Sequence, residues 1–342
     1  MAHDVERHQQ PTSGSAHAAR WAPYTRFRVV LLVTGVVPLL LVPLMLRQWP
    51  LPAHGLWNNS FVYVTGVLHV GMTSFFYLDP EMRAFRHQRP HLFVTVPLLI
   101  GVGTAAALSL LDSPGQALVN VALAAWLGWH YTGQQVGVVA MALKGEVATA
   151  RLRPGERRYI KATGMVTMVG LIRTVDLANT PLANLDLLLV CRLGLVGLLA
   201  AVGWLLYRAA VEPAAGGGTW ATRAVALAWA TLFVAPLGLV HDPVAGAAAV
   251  AAVHSFHYVF LVAYLSRSRR PLAWVGTVLM GAATAGIYLV LLEWSPADGV
   301  LSHALPAMLF TMVAAHRVVD MRVWRLREPE RLEYMRRSFV FL

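Results

Sequence analysis

Charged side chains are scarce in this chain. Aspartate, glutamate, lysine and arginine make up 13% of its 342 residues, whereas a soluble domain carries about 25%. Hydrophobic residues make up 57%, and the mean hydropathy is +0.56. Together with apolar runs of about twenty residues, this shortage argues against a soluble domain and predicts an all-α, polytopic bundle of transmembrane helices.

Cysteine is nearly missing as well. Cys191 is the only one, and it lies inside an apolar run. A single cysteine excludes a disulfide framework and a thiolate metal cluster. The net charge of +11 would suggest a nucleic-acid partner in a soluble protein. Here the basic residues lie in short loops between apolar runs, which favours a membrane protein and no nucleic acid.

The polar residues 1–25 have no periodicity, and we predict that they form a disordered cytoplasmic tail. They do not resemble a signal peptide, because the first apolar run is too long and no small-residue cleavage site follows it. The transmembrane domain is predicted over 26–321. It contains ten apolar spans, at 27–46, 58–78, 92–111, 117–143, 160–179, 185–207, 220–240, 244–265, 272–292 and 299–321.

Basic residues fix the predicted orientation. With the amino terminus inside, 24 of the 28 lysines and arginines lie on the cytoplasmic side and only Arg47 lies in an outer loop. The positive-inside rule therefore predicts a multi-pass protein of the inner (plasma) membrane with both termini cytoplasmic. Residues 322–342 are predicted to form a basic tail helix, either in solvent or on the anionic lipid surface.

Five histidines lie at mid-depth or deeper within the predicted spans: His69, His130, His254, His257 and His316. The spans that carry them all run in the same direction, so equal positions along these helices mean similar depths, at about 1.5 Å per residue. Ionisable side chains are costly in hydrocarbon and usually face the interior of a bundle. We therefore predict that the five histidines converge on one buried metal or haem site. The alternatives are separate interhelical hydrogen bonds and a proton or substrate pathway.

Three polar side chains close to the histidines are predicted to act in catalysis. Asp320 lies four residues after His316, so its carboxylate can hold the imidazole in one tautomer or bind the metal itself. Gln134 lies four residues after His130, and Tyr258 lies next to the paired histidines of the eighth span.

A second polar group lies nearer the outer surface. Arg173 and Asp176 are three residues apart in the fifth predicted span, and Arg192 lies in the sixth. A buried arginine needs a partner, and Asp176 would provide one for either arginine. The alternative is that the group binds the anionic head of a substrate, a carboxylate or a phosphate.

Imidazole ligands without cysteine suit non-haem iron, copper or zinc. In a bilayer, with aromatic residues around the histidines, the expected substrate is a lipophilic small molecule such as a lipid or an isoprenoid. The leading prediction is an iron- or copper-dependent membrane oxidoreductase, solvated by membrane lipids. The alternatives are a haem-binding electron carrier, a proton-coupled transporter with the histidines as a relay, and a structural scaffold.

The distribution of His69, His130, His254 and His257 over several spans resembles that of the bacterial β-carotene-cleaving membrane dioxygenases. That resemblance implies iron-dependent cleavage of a polyene. The tight His-x-x-His-His boxes of membrane desaturases do not occur in the chain. The closing pattern His316-x-x-x-Asp320-x-x-x-Trp324 resembles the carboxyl-terminal stretch of uncharacterised bacterial multi-span proteins, and it implies no particular activity.

Overall fold

The computed structural model describes residues 24–37, 39–40, 66–146, 152–178, 180–211, 220–269, 272–294, 300–324 and 328–339. Most of these residues are helical, and no strand occurs among them, which confirms the all-α prediction. The predicted disordered tail, 1–25, lies outside the described residues except for its last two positions.

The helices follow one another along the chain. They are α1 (24–37), α2 (66–72), α3 (Ser74–Leu78), α4 (Pro80–Gln88), a π-helical turn (His91–Thr95) that continues into α5 (Val96–Leu110), α6 (Ser113–Glu146), α7 (Pro154–Ile172), α8 (Leu187–Val211), α9 (Trp220–Leu239), α10 (Pro243–Arg269), α11 (Ala273–Trp294), α12 (Val300–Val323) and α13 (Pro329–Arg336). With 34 residues, α6 is roughly 50 Å long at 1.5 Å per residue, longer than a bilayer core is thick.

Five segments are long and apolar enough to cross a membrane: His91–Leu110, Leu187–Arg208, Thr222–Leu239, Pro243–Arg269 and Ala273–Val290. They match the third, sixth, seventh, eighth and ninth predicted spans. The long helices α6, α7 and α12 fall outside this group because they carry more histidine, glutamine, threonine or basic side chains. The number of spans, ten, and the side of the membrane on which each terminus lies remain predictions.

The five segments divide into an outer and an inner layer. Only about a fifth of the residues in the segments of α5, α8 and α11 are buried, compared with 67% in those of α9 and α10. The outer helices expose large apolar side chains such as Leu99, Leu193, Val196 and Ile287. A soluble monomer rarely exposes apolar surface on this scale. Lipid tails would cover it at little cost, with α9 and α10 forming the interior.

A close approach of α6 to α7 depends on glycine. A Cβ atom at Gly128 would lie 2.8 Å from the backbone nitrogen of Met168, and one at Gly164 would collide with the side chain of Thr132. Helices in membranes commonly pack through such small residues, because the backbones can then make extensive van der Waals contact. Gly128 is two residues before His130, so this contact fixes the helix that carries one of the predicted ligands.

The carboxyl-terminal segment is packed against the bundle. The Tyr334 hydroxyl donates to the Asp79 carboxylate at 2.9 Å, and the Arg269 guanidinium donates to the Tyr334 carbonyl oxygen at 3.0 Å. The ring of Phe339 packs on that of Phe27, with the centroids 5.9 Å apart. Burial, and then the nearby Asp79 charge, raise the pKa of Tyr334, so its phenol keeps the proton that it donates.

Gly128→Ala should destabilise the protein, because the added Cβ meets the backbone of α7 and overpacking costs about 1–3 kcal/mol. Gly133→Ala is the matched control on the same helix, since a Cβ there meets nothing within 4 Å. Thermal unfolding in detergent should show a lower midpoint for Gly128→Ala and an unchanged or higher one for Gly133→Ala. Equal midpoints would contradict the proposed close contact.

Candidate metal centre

Four of the five predicted histidines meet in the interior. His69 on α2, His130 on α6, His254 on α10 and His316 on α12 are each no more than 7% exposed. Neighbouring rings are in edge-to-face contact, with centroid distances of 4.7 Å for His69 and His316, 5.1 Å for His69 and His254, 4.9 Å for His130 and His254, and 5.0 Å for His130 and His316. Four helices that are far apart in the sequence thus contribute to one group.

His130 lies at the centre of this group. Its Nε2 atom is 3.2 Å from His316 Nε2, 3.3 Å from His254 Nε2 and 3.5 Å from Asp320 Oδ2. An imidazole nitrogen carries either a hydrogen or a lone pair, so His130 Nε2 cannot donate to one ring and accept from the other. Hydrogen bonds among the neutral rings therefore do not account fully for three nitrogens at this spacing.

The spacing is close to that of ligands around a single metal ion. Two atoms bound at about 2.1 Å lie about 3.0 Å apart in an octahedral arrangement and about 3.4 Å apart in a tetrahedral one. The two nitrogen pairs of His130 fall between these values, and the distance to Asp320 lies just above them. Two sets of side chains could hold an ion: His130, His316 and Asp320, and His69, His254 and His316, each with ligand atoms within 4.8 Å of one another.

Asp320 is oriented by the tryptophan one turn further along α12. The Trp324 indole Nε1–H donates to Asp320 Oδ1, and the other carboxylate oxygen faces His130. His316, Asp320 and Trp324 are spaced four residues apart, so they lie along one face of α12. This arrangement gives a physical reason for the His-x-x-x-Asp-x-x-x-Trp pattern.

Hydroxyl groups lie within hydrogen-bond distance of the Nδ1 atoms of two histidines. Thr73 Oγ1 lies 2.9 Å from His316 Nδ1 and 2.8 Å from the Tyr258 hydroxyl, and Ser255 Oγ lies 3.0 Å from His69 Nδ1. Thr73 lies at the break between α2 and α3. If each Nδ1–H donates to its hydroxyl oxygen, the Nε2 lone pairs of His69 and His316 are left for a metal, as is usual for metal-bound histidines.

His257 is not part of the group. Its Nε2 atom is 3.3 Å from the carbonyl oxygen of Leu31 on α1, and its ring packs on Trp229 with the centroids 4.9 Å apart. His257 is fully buried like His254, but it faces different helices. The structure therefore does not bring this predicted ligand to the metal centre.

The two other predicted catalytic residues differ in their surroundings. The Tyr258 ring contacts that of His316 at 4.6 Å and is linked through Thr73 to the same imidazole. Gln134 is buried one turn beyond His130, but neither its amide nitrogen nor its amide oxygen has a hydrogen-bond partner in the described part of the chain. Tyr258 thus borders the metal centre, whereas Gln134 makes no bond to it.

The outer polar group has a different arrangement from the predicted one. α7 ends at Ile172, so Arg173 caps it and Asp176 lies in the turn that follows. The Arg173 guanidinium donates to the carbonyl oxygens of Leu237 and His241, and Arg192 donates to that of Gly238. The Asp176 carboxylate accepts from the Ala178 backbone and pairs with neither arginine. The two arginines thus neutralise the carboxyl end of α9, where cations are favoured.

A cavity of about 720 Å³ leads to the metal centre. The four grouped histidines and Arg317 line it, together with residues at the first turn of α6 (Ser113), just after α7 (Asp176) and at the start of α10 (Val244). These three positions belong to connections that the predicted topology places on the outer side. Asp176 is therefore near the cavity, although Arg173 and Arg192 do not line it.

Thr73, Ser255 and Arg317 border this centre but are not among the residues predicted from the sequence. Thr73 lies four residues after His69 and Ser255 directly follows His254, yet hydroxyls in helices usually bond their own backbone, so spacing alone does not distinguish them. Arg317 could have been predicted from the sequence, because an arginine inside a span is costly for the same reason as a histidine.

Comparison with known proteins found no matching family model, no matching curated protein and no matching solved structure. The residues and geometry of the site are therefore the basis for any assignment of function.

Thr73→Val should weaken metal binding about 10- to 100-fold, because it removes the oxygen that faces His316 Nδ1 while keeping the side-chain shape. Thr167→Val is the control: this threonine is equally buried, but its hydroxyl bonds only the Thr163 carbonyl of its own helix. Competition with a chromophoric chelator measures both affinities. Equal affinities in the two variants would show that Thr73 does not support a ligand.

Proposed function

We propose that this protein is a multi-pass membrane oxidoreductase whose redox-active metal centre is built from two ligand sets that share His316: His130, His316 and Asp320, and His69, His254 and His316. The observation that carries the proposal is the position of His130 Nε2, which has two other imidazole nitrogens and a carboxylate oxygen within 3.2–3.5 Å. His69 completes the ring of imidazoles as a further ligand, held by Ser255. The four histidines and the aspartate come from four helices, so metal binding would also join these helices.

The donor set favours iron or copper. Two histidines and one carboxylate, here His130, His316 and Asp320, form the ligand combination of non-haem iron oxygenases. Cys191 is buried away from the set, beside the Val166 carbonyl, so it adds no thiolate. When bound, such an ion supplies the one-electron chemistry by which O₂ can oxidise a hydrocarbon.

A lipophilic substrate fits the cavity beside these ligands. Its volume lies within the roughly 300–1,000 Å³ typical of small-molecule sites. Apolar and aromatic side chains of α6 and α12, among them Leu127, Phe310 and Val313, form much of its wall. These side chains would exclude water from the reacting atoms. Asp320, oriented by Trp324, would place either an ionised or a protonated carboxyl group next to His130.

A haem group fits the geometry less well. A porphyrin must lie between two axial imidazoles, whereas His130 contacts both His254 and His316 directly, ring against ring. A bare ion needs no such space.

A proton relay is the second candidate, and one observation favours it. Tyr258, Thr73, His316, His130 and His254 form a continuous line of contacts between 2.8 and 3.3 Å. Such a line could pass protons without any metal, beside the cavity that the histidines line. Metal content separates the two candidates.

Protein purified without chelators should contain about one iron or copper ion per chain and show no Soret band. His254→Ala should lower the metal content at least about ten-fold, because it removes a ligand. His257→Ala, three residues away and equally buried, should keep it. Elemental analysis and an optical spectrum measure both. Wild-type protein without metal would favour the relay, and a Soret band would favour haem.

We also propose the ten-span topology with both termini inside. In a Cys191→Ala background, His241→Cys should react with a membrane-impermeant maleimide in intact spheroplasts, because this exposed residue follows α9 at the outer end. Arg336→Cys, exposed on α13, should react only after lysis. The reverse labelling pattern, or reaction of both in intact cells, would contradict the proposed orientation.

A further inference from the structure

Arg317 is a buried cation that lines the cavity, and no acidic side chain among the described residues pairs with it. Its side chain is only 4% exposed, and its Nε and Nη1 atoms have no hydrogen-bond acceptor within the ranges that the structure describes. Arg223 shows the usual solution for a buried arginine in this protein, since its Nη1 atom lies 2.6 Å from both carboxylate oxygens of Glu156. Arg317 faces open space where Arg223 has a carboxylate.

Trp126 packs against the guanidinium of Arg317. The Arg317 Cζ atom lies 4.0 Å from the centre of the Trp126 ring, and both residues line the cavity. This cation–π contact offsets part of the cost of burying the charge. It satisfies no N–H donor, so Nε and Nη1 remain available for an acceptor in the cavity.

A buried cation without a counter-ion is strongly unfavourable, so the position of Arg317 in the cavity favours the binding of an anionic ligand. Arginine stays charged in proteins, and its planar donors match the geometry of a carboxylate. Arg317 directly follows His316, so an anion bound there would lie at the depth of the metal centre.

We propose that the cavity binds an amphiphile whose carboxylate pairs with Arg317 and whose apolar chain lies along the walls formed by α6 and α12. This inference rests on the proposed function only in placing the carboxylate beside a metal. The carboxylate itself would be bound whether or not the metal is present. The ligand class is then a long-chain carboxylic acid, bound with its carboxyl end at the depth of the histidines.

The lining of the cavity favours a molecule with a long apolar chain over a small free anion. Leu123, Leu127, Phe310 and Val313 line it, and the polar Gln116 lies in the first turn of α6. A free anion would leave these apolar walls in contact with water, whereas a hydrocarbon chain would cover them, which is favourable.

The test compares cis-parinaric acid, a fluorescent polyene fatty acid, with its methyl ester. Energy transfer from tryptophan, to which Trp126 contributes, reports binding to the purified full-length protein in detergent. Wild-type protein should bind the acid about ten-fold or more tightly than the ester, because a charge-assisted hydrogen bond is lost in the ester. Arg317→Met should remove this preference, and Arg317→Lys should reduce it, since lysine keeps the charge but not the planar fork.

Arg192→Met is the matched control, because it removes a cation from a helix without touching the cavity, and the preference should persist in it. Equal affinity of wild-type protein for acid and ester, no binding of either, or an unchanged preference in Arg317→Met would overturn the proposal. Displacement of the probe by equimolar acetate would show a small-anion site and overturn the proposal of an amphiphilic ligand.

The same titrations after chelation separate the two proposals. A retained preference for the acid in metal-free protein supports the Arg317 site even if no metal is ever found.

Discussion

Three imidazole nitrogens, one of them from His130, meet deep within an apolar bundle. The rest of the structure depends on this contact. Bringing the Nε2 atoms of His254 and His316 within 3.3 Å of His130 Nε2 desolvates three polar rings at once. Hydrogen bonds among neutral imidazoles do not account fully for this junction. A shared cation or a shared proton would offset the cost of bringing these rings together.

The surrounding helices serve this junction in different ways. α10 runs through the interior and contributes His254, while α6 is held against α7 at Gly128 and α12 carries His316 and Asp320 on one face. The outer helices α5, α8 and α11 carry few polar groups and turn apolar side chains outward. Polar chemistry is thus concentrated in the inner helices, and the outer layer makes that interior compatible with lipid.

Matched depth along the spans was enough to predict that His69, His130, His254 and His316 meet. It was not enough for His257, because three residues turn a helix by about 300°, and the remaining 60° directs this ring towards Leu31 and Trp229. Asp320 was predictable from its four-residue spacing. Arg173 and Asp176 were misplaced within a helix because hydropathy does not mark where a helix ends, and α7 ends at Ile172.

X-ray absorption at the edge of a bound metal would show whether the histidines hold it. We expect a shell of nitrogen and oxygen ligands at about 2.0–2.2 Å, with the outer scattering of at least two imidazoles. That imidazole scattering should fall in His130→Ala, whose ring has the shortest contacts to the others. A shell of water oxygens alone, a sulfur ligand, or a spectrum unchanged by His130→Ala would contradict the account.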